Sequence, residues 1–492
     1  MKNLSGPLEK KLRYLDLSRN MLSGSIPDFS SFWFLNRLAL GGNVLNGSIA
    51  EGYLNIPYLT HLDLSSNNIT SGVPDFVSSS FIEKIYLNDN MFNGHLSESI
   101  GGLSELEVLR LGSNQLQGIV TESHLLNLSR LQIFDLSANL MLTLNLSIHW
   151  VPPFQLIAMS LSQCKIGPYF PNWLQVQTQL VFLDISFTQI VDTIPSWFGN
   201  LASKLSYLNA SSNQLHGLFP HIPTFDLKLG IKIKSPFNQN MLLRKFDLSG
   251  NQIRGAIPKC VRGLSAMIET PGYSQFNQLR GLAIPNGNFL AQFSVLDGAY
   301  FMWKGLEVNY VNNVGLVNLI DISNNELLGY IPSEIVELVG LIGLNLSRNN
   351  LIGSIPRDIG KMKSLNFLDV SRNKLWGKIP TSLSELSRLR VLNLSYNNLW
   401  GEIPRSSHML TFDELSYTGN PGLCGRPLPL ERSCTWDRQD PKLTADNNTM
   451  KYPKDDDQFI TPGFYMSMGL GFVFGFWGVI FGTILLNKSI RY

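Results

Sequence analysis

The sequence predicts a solenoid of short stacked coils, and three observations predict it. The first is a recurring frame. Leu389, Leu392 and Leu394 are spaced L-x-x-L-x-L, Asn397 follows, and Leu399, Gly401, Ile403 and Pro404 complete L-R-V-L-N-L-S-Y-N-N-L-W-G-E-I-P. The second is its period. The frame returns as Leu365 to Pro380, Leu341 to Pro356 and Val317 to Pro332. Upstream, the Asn position falls at Asn20, Asn43, Asn67, Asn90, Asn114, Asn139, Cys164, Thr188, Asn213 and Asn251. That makes 14 coils, mostly 23 to 25 residues apart, a spacing no single globular core imposes. The third is the alternation x-L-x-L-x inside each frame, which is a short strand with leucines on one side and x residues on the other. One coil cannot bury its leucines alone, so neighbours stack and share a core.

Period and frame together are those of an α/β-type leucine-rich-repeat horseshoe. Strands about 4.8 Å apart make it roughly 60–70 Å long, with a ladder of x residues on the concave side. The Asn side chain carries both donors and acceptors, so it can bond the backbone of adjacent coils. Cys164 at such a site reads as a small buried substitute rather than a reactive thiol. In L-x-G-x-I-P, Gly opens backbone angles closed to other residues and Pro fixes φ, so the pair turns the chain on the convex side. This L-x-G-x-I-P form resembles the plant extracellular subtype found in receptor kinases and receptor-like proteins.

Taken in order, residues 1–260 hold about ten coils, with the register loosening at 140–153 and 221–240. Met1 to Lys11 offers no basic-then-apolar leader and no paired-Cys cap, so the start reads as the middle of a longer receptor. In the second loosened stretch Leu227, Leu229, Ile231 and Ile233 alternate with Lys228, Lys232 and Lys234, the pattern of a half-exposed strand whose lysines either bind or are simply solvated. Residues 261–314 lose the repeat altogether, and the alternating run Tyr300 to Tyr310 suggests a hairpin bending near Gly305. Such a break followed by four coils (315–404) is similar to the island domain of plant receptor-like proteins. Trp303 to Gly305 and the G-L-V-N-L-I-D-I-S-N-N after it resemble receptors of the ethylene-inducing-xylanase type. That resemblance makes Tyr300, Trp303 and Lys304 candidate island contacts, against the plainer reading that Trp303 packs the island onto the coils.

Residues 405–435, with T-F-D-E-L-S-Y-T-G-N-P-G-L-C-G-R-P-L-P, are similar to the family's C-terminal cap, which implies a Cys424–Cys434 bridge. Cys164 and Cys260 lie four coils apart and are expected to be unpaired with each other. Residues 436–463 are a polar, acidic linker. Residues 464–486 carry no charge over 23 positions, enough at ~1.5 Å each for one membrane helix, and 487–492 remain as a tail. Ser467, Gly471 and Gly475 form one small-residue stripe and Gly478 and Gly482 a second, a pattern that lets helices approach closely. In receptor-like proteins this feature docks an adaptor receptor-like kinase. With so short a tail, no kinase is expected after the span.

The formal charge of +2 gives no reason to propose nucleic acid. No catalytic constellation, metal-ligand spacing or phosphate loop is present, so neither an enzyme nor a cofactor is expected. The L-D-L-S aspartates (Asp16, Asp63, Asp135, Asp184, Asp247, Asp369) are explained by a strand position without chemistry. Sequons begin at Asn3, Asn46, Asn68, Asn127, Asn145, Asn209, Asn345, Asn393 and Asn447, suggesting a lumenal, glycosylated history, although the repeat itself keeps supplying N-L-S. The resemblance implies a plasma-membrane receptor-like protein, repeats outside and tail in the cytosol, that binds an extracellular peptide or protein ligand in plant immunity. Concave candidates are Tyr14, Tyr86, Phe182, Phe187 and Tyr207. Arg348, Phe367, Arg372 and Tyr396 lie where the family meets co-receptor kinases of the somatic-embryogenesis type. A developmental receptor, a non-signalling decoy and an inactive fragment are the rival readings.

Overall fold

A computed structural model describes residues 11–76, 79–220, 243–264, 267–268, 299–303, 306–310, 318–429 and 434. All of them fall within one compact unit that ends at Cys434. Each frame contributes one three-residue strand, and fourteen strands join in chain order into a single parallel sheet. They are Tyr14–Asp16, Arg37–Ala39, His61–Asp63, Lys84–Tyr86, Val108–Arg110, Ile133–Asp135, Ala158–Ser160, Phe182–Asp184, Tyr207–Asn209, Lys245–Asp247, Leu319–Asp321, Gly343–Asn345, Phe367–Asp369 and Val391–Asn393. The register never slips: Tyr14 pairs with Arg37, Gly343 with Phe367, and Phe367 with Val391. Every central strand residue therefore points into one core, which runs from Ile26 to Leu428.

The Asn column ties the coils together. Asn373 donates from Nδ2 to Leu346 O (3.0 Å) of the preceding coil and to Val370 O (3.1 Å) of its own, and its Oδ1 accepts from Leu351 N–H at 3.0 Å. Asn67, Asn114, Asn251, Asn325, Asn349 and Asn397 repeat the pattern. At the two exceptions, the Thr188 hydroxyl donates to Ile185 O (2.8 Å) and the Cys164 thiol to Leu136 O (3.0 Å). Both side chains are buried, and burial pushes the Cys164 thiol up to about 12. It is a small, protonated core residue.

The glycine of L-x-G-x-I-P does more than turn the chain. It lies inside a second set of short parallel ladders, such as Ile352–Gly353, Lys374–Gly377, Asn398–Glu402 and Gly422–Cys424. Gly353, Gly377 and Gly401 sit there at φ of 84°, 97° and 89°, a region that penalises any Cβ. The proline that follows opens a 3-10 turn on the far flank: Pro332 precedes Ser333–Glu337 and Pro380 precedes Thr381–Glu385. The loosened stretch 140–153 keeps its flank strand, Met141–Leu144. Trp150 then packs edge-on against Phe154 and Trp173. Residues 221–240 lie outside the described residues.

Lys245–Asp247 pairs directly with Leu319–Asp321, so the sheet runs on across the stretch that lacks the repeat. Within that stretch Ala299–Trp303 and Leu306–Tyr310 form an antiparallel hairpin with Trp303 opposite Leu306. Lys304 lies outside the described residues. At the carboxyl end Asn420 extends the Asn column one step further, donating to Leu394 O and Tyr417 O at 3.0 Å and accepting from Leu399 N–H. Tyr417 is wholly buried, its hydroxyl on Met409 O. A Cys424–Cys434 disulfide closes the cap, while Cys164 and Cys260 are free thiols. Among the described residues no helix is long and apolar enough to cross a membrane. Residues 464–486, with Ser467, Gly471, Gly475, Gly478 and Gly482, lie outside them, as do Asn3 and Asn447.

Candidate functional site

The leucines occupy the inner side of the main sheet, so the first and third residues of each strand form two outward columns. These columns and the turn that follows are the surface the core does not consume. Four zones of different chemistry succeed one another along it.

In the first coils the zone is charged. Arg37 lies 3.7 Å from Asp16, Lys84 3.9 Å from Glu107, and His61 4.0 Å from Glu83. Burial, and then the cations Lys84 and Arg37, bring the His61 pKa down to about 4, so at neutral pH it is an uncharged neighbour of Glu83.

The second zone is apolar. Val108, Ile133 and Ala158 occupy the first column of three successive strands and cluster with Tyr86 and Ile157, with Val181 and Phe182 against them. Phe182 stacks on Tyr207 with ring centroids 4.2 Å apart.

The third zone is a buried cluster. The Lys245 ammonium donates to the Tyr207 hydroxyl (3.1 Å) and lies 3.8 Å from Asp247. Burial opposes its charge, but the Tyr207 hydroxyl, Asp247 and Asp184 outweigh that and raise its pKa. On the next strand, burial and the neighbouring Asp247 carboxylate raise Asp321 to about 7.

The fourth zone is the turn of the last coils, where Asn324, Arg348, Arg372 and Tyr396 each precede the column Asn at φ of 51–55°. All four are exposed, and the Arg372 guanidinium sits 4.3 Å from the Tyr396 ring centroid.

This geometry corrects part of the sequence reading. Tyr14 (69% exposed) lies open at the first strand and Phe182 is half-buried. Tyr86, Tyr207 and Phe367, expected to be exposed, are buried. Tyr86 is held among Val108, Ile133 and the Arg110 guanidinium, and Tyr207 between Phe182 and Lys245. Leu319 and Phe367 flank Gly343, where a Cβ would meet Leu319 Cδ1 at 2.5 Å. Phe187, Arg348, Arg372 and Tyr396 stand in the turn after the strand, because the chain must adopt a left-handed residue before the buried column residue, Thr188 after Phe187 and Asn after the others. The L-D-L-S aspartates work structurally: Oδ1 of Asp63 accepts both N–H (3.0 Å) and Oγ–H (2.6 Å) of Ser65. Asp321 does the same with Ser323. The sequence reading passed over it because its coil reads I-D-I-S, although its place in the frame is the same. Lys245 and Asn420 were also missed, and for each the frame position was the available signal. Tyr300 and Trp303 lie on the first hairpin strand.

The leucine-rich-repeat family pattern matches residues 11–33, 179–201, 242–264, 340–362, 364–386 and 388–410, and a second leucine-rich-repeat pattern matches 55–72. The chain is 36% identical over 525 aligned residues to receptor-like protein EIX2 of Solanum lycopersicum, covering 76% of this chain and 51% of the relative. It is 43% identical over 143 residues to receptor-like protein EIX1 of the same plant, covering 29% of this chain and 12% of the relative. The chain thus spans about half the length of EIX2 and a smaller part of EIX1. Among solved structures it is similar to the HAESA ectodomain of Arabidopsis in complex with an extended IDA peptide hormone (29% identity, TM-score 0.53, 84% of this chain and 62% of that one). The crystal structure of PEPR1–AtPEP1 shares the fold (23% identity, TM-score 0.61, 85% of this chain and 50% of that one).

Proposed function

Because the chain is a homologue of the plant leucine-rich-repeat receptor-like proteins, we propose that it is a cell-surface receptor-like protein whose main-sheet face binds an extracellular peptide or protein, of microbial origin in plant immunity. The observation that carries this reading is the exposed turn column of the last coils. Asn324, Arg348, Arg372 and Tyr396 are displayed at one-coil intervals, on backbone held left-handed, and the core needs none of them. Arg and aromatic side chains dominate interface hot spots. The likeness to a hormone-bound ectodomain supports a peptide as ligand class.

The rest of the reading follows from the sequence. Residues 464–486 serve as a single membrane helix with the repeats outside. Its small-residue stripes bring an adaptor receptor-like kinase, and a co-receptor kinase of the somatic-embryogenesis type meets the bound ligand together with Arg348, Arg372 and Tyr396 of the last four coils. Cell-surface protein carrying Arg348→Ala and Arg372→Ala is to be compared with the parent for binding to fractionated fungal culture proteins. At least a tenfold loss of the bound fraction at equal surface level is expected if each arginine contributes roughly 1 kcal/mol or more. Equal binding by the variant overturns the reading.

A further inference from the structure

The seven sequons within the described residues fall into two structural groups. Asn46, Asn68, Asn127 and Asn145 are exposed. Asn46 and Asn68 lie side by side on flank strands, and Asn127 follows the 3-10 turn Glu122–Leu125 and Asn145 the flank strand Met141–Leu144, both outside the main sheet. Asn209, Asn345 and Asn393 are instead the third residues of main-sheet strands. There both ends of the amide are committed. Nδ2 of Asn209 donates to Asp184 Oδ2 (3.1 Å), that of Asn345 to Asp321 Oδ2 (2.9 Å), and that of Asn393 to Asp369 Oδ2 (3.2 Å). Each Oδ1 accepts from the serine of its own sequon, Ser211, Ser347 or Ser395, through both N–H and Oγ–H.

We propose that the folded protein carries its N-glycans on the flank asparagines Asn46, Asn68, Asn127 and Asn145, and that Asn209, Asn345 and Asn393 remain bare. This rests on the reading that the repeats face the lumen. In the attachment step the anomeric carbon of a lipid-linked oligosaccharide bonds Nδ2, its pyrophosphate leaves, and the amide loses one proton. At the three face positions that bond would replace an Nδ2 hydrogen where the amide lies against a carboxylate on the adjacent strand, and at Asn209 and Asn345 the side chain is buried, whereas the four flank amides are open to solvent. Chains modified there cannot close the register at that coil. Sequon counting treats all seven alike, whereas the sheet divides them by which side of the coil they occupy. The main-sheet face is thereby left clear of sugar.

The test directs the full chain into the secretory pathway of a plant cell with an added leader. Folded product is purified, deglycosylated enzymatically in heavy-oxygen water, and the tagged asparagines are read by peptide mass spectrometry. Tags at the four flank positions and none at the three face positions are expected. A tag at Asn209, Asn345 or Asn393, or flank positions left untagged, overturns the proposal. Two variants separate modification from folding. Asn46→Gln should remove one glycan-sized step on a gel and leave the urea midpoint unchanged. Asn345→Gln should remove no step and lower the midpoint. If Asn345→Gln is not secreted, the map of the parent decides. The receptor reading is tested separately, by the binding comparison of Arg348→Ala and Arg372→Ala, and its failure would leave the partition measured on the directed chain untouched.

Discussion

Asp16 in the first coil and Asp321 in the coil that follows the stretch without the repeat occupy the same place in the frame and make the same local bonds. Each accepts the N–H and the hydroxyl of the serine two residues on, at 3.1 and 2.6 Å for Asp16 and 3.0 and 2.6 Å for Asp321. Their titration is nevertheless opposite. Ser18 lowers the pKa of the exposed Asp16, with Arg37 adding to it, whereas burial and then the Asp247 carboxylate raise Asp321 to about 7. The repeat fixes where a side chain sits and what it bonds within its own coil. Chemistry on this surface is set one coil away, by Arg37 beside Asp16 and by Asp247 beside Asp321, residues distant in sequence but adjacent across the sheet.

The largest expected effect tests the buried side of that contrast. A carboxyl whose folded pKa lies above its unfolded value binds its proton more tightly when folded. Its contribution is therefore complete below about 4 and is lost as pH rises toward about 7. Unfolding free energies from urea titrations across that window should fall with rising pH in the parent, by an amount on the order of 2–4 kcal/mol, and Asp321→Asn should flatten the fall. An unchanged slope in the variant would show that the fold does not raise the Asp321 carboxyl.

Next in size is the bond set by the repeat itself. Asn373→Ala leaves a buried N–H and two carbonyls without their partner and should cost about 3 kcal/mol. Cys164→Ala, which removes one weak donor and little volume, should cost about 1 kcal/mol. Equal losses in urea titrations would mean the Asn column is not what joins the coils. With its thiol pushed up to about 12, Cys164 should also resist alkylation in folded protein at neutral pH, while unfolded protein reacts.

The smallest effect sits on the exposed side. The Arg37–Asp16 pair is half open to water, so Arg37→Ala should change stability by less than about 1 kcal/mol, and less again in high salt. Because the Asp16 pKa is lowered in the fold, its contribution is present above the ordinary carboxylate pKa and is lost as pH falls through the folded value. A loss in Arg37→Ala that persists in high salt would contradict this.

The same contrast separates what the sequence shows from what it hides. Leucine spacing and the Asn column predict one strand per coil, and the sheet has fourteen. Period two alone says that Tyr86, Phe182 and Tyr207 face outward. It does not say that Phe182 lies over Tyr207, or that Val108 and Ile133 wall in Tyr86. Those neighbours come from other coils. Gly in L-x-G-x-I-P signals a special backbone angle, but its part in a second parallel ladder depends on the coils above and below. Asn420 escaped notice because the cap abandons the leucine frame while keeping the asparagine.

The direct pairing of Lys245–Asp247 with Leu319–Asp321 bears on how such a protein can change over generations. The residues just before these strands, Arg244 and Asn318, are 74 positions apart, against 24 for an ordinary step such as Asp369 to Asn393. Loop-closure entropy grows only with the logarithm of length, so the threefold longer excursion costs about 1 kcal/mol more than an ordinary coil. The seam between these two coils is thus a place where whole segments can be exchanged, lengthened or lost while the scaffold on either side keeps its geometry. Novelty in recognition can arise there by recombination, without waiting for compensating changes in the core.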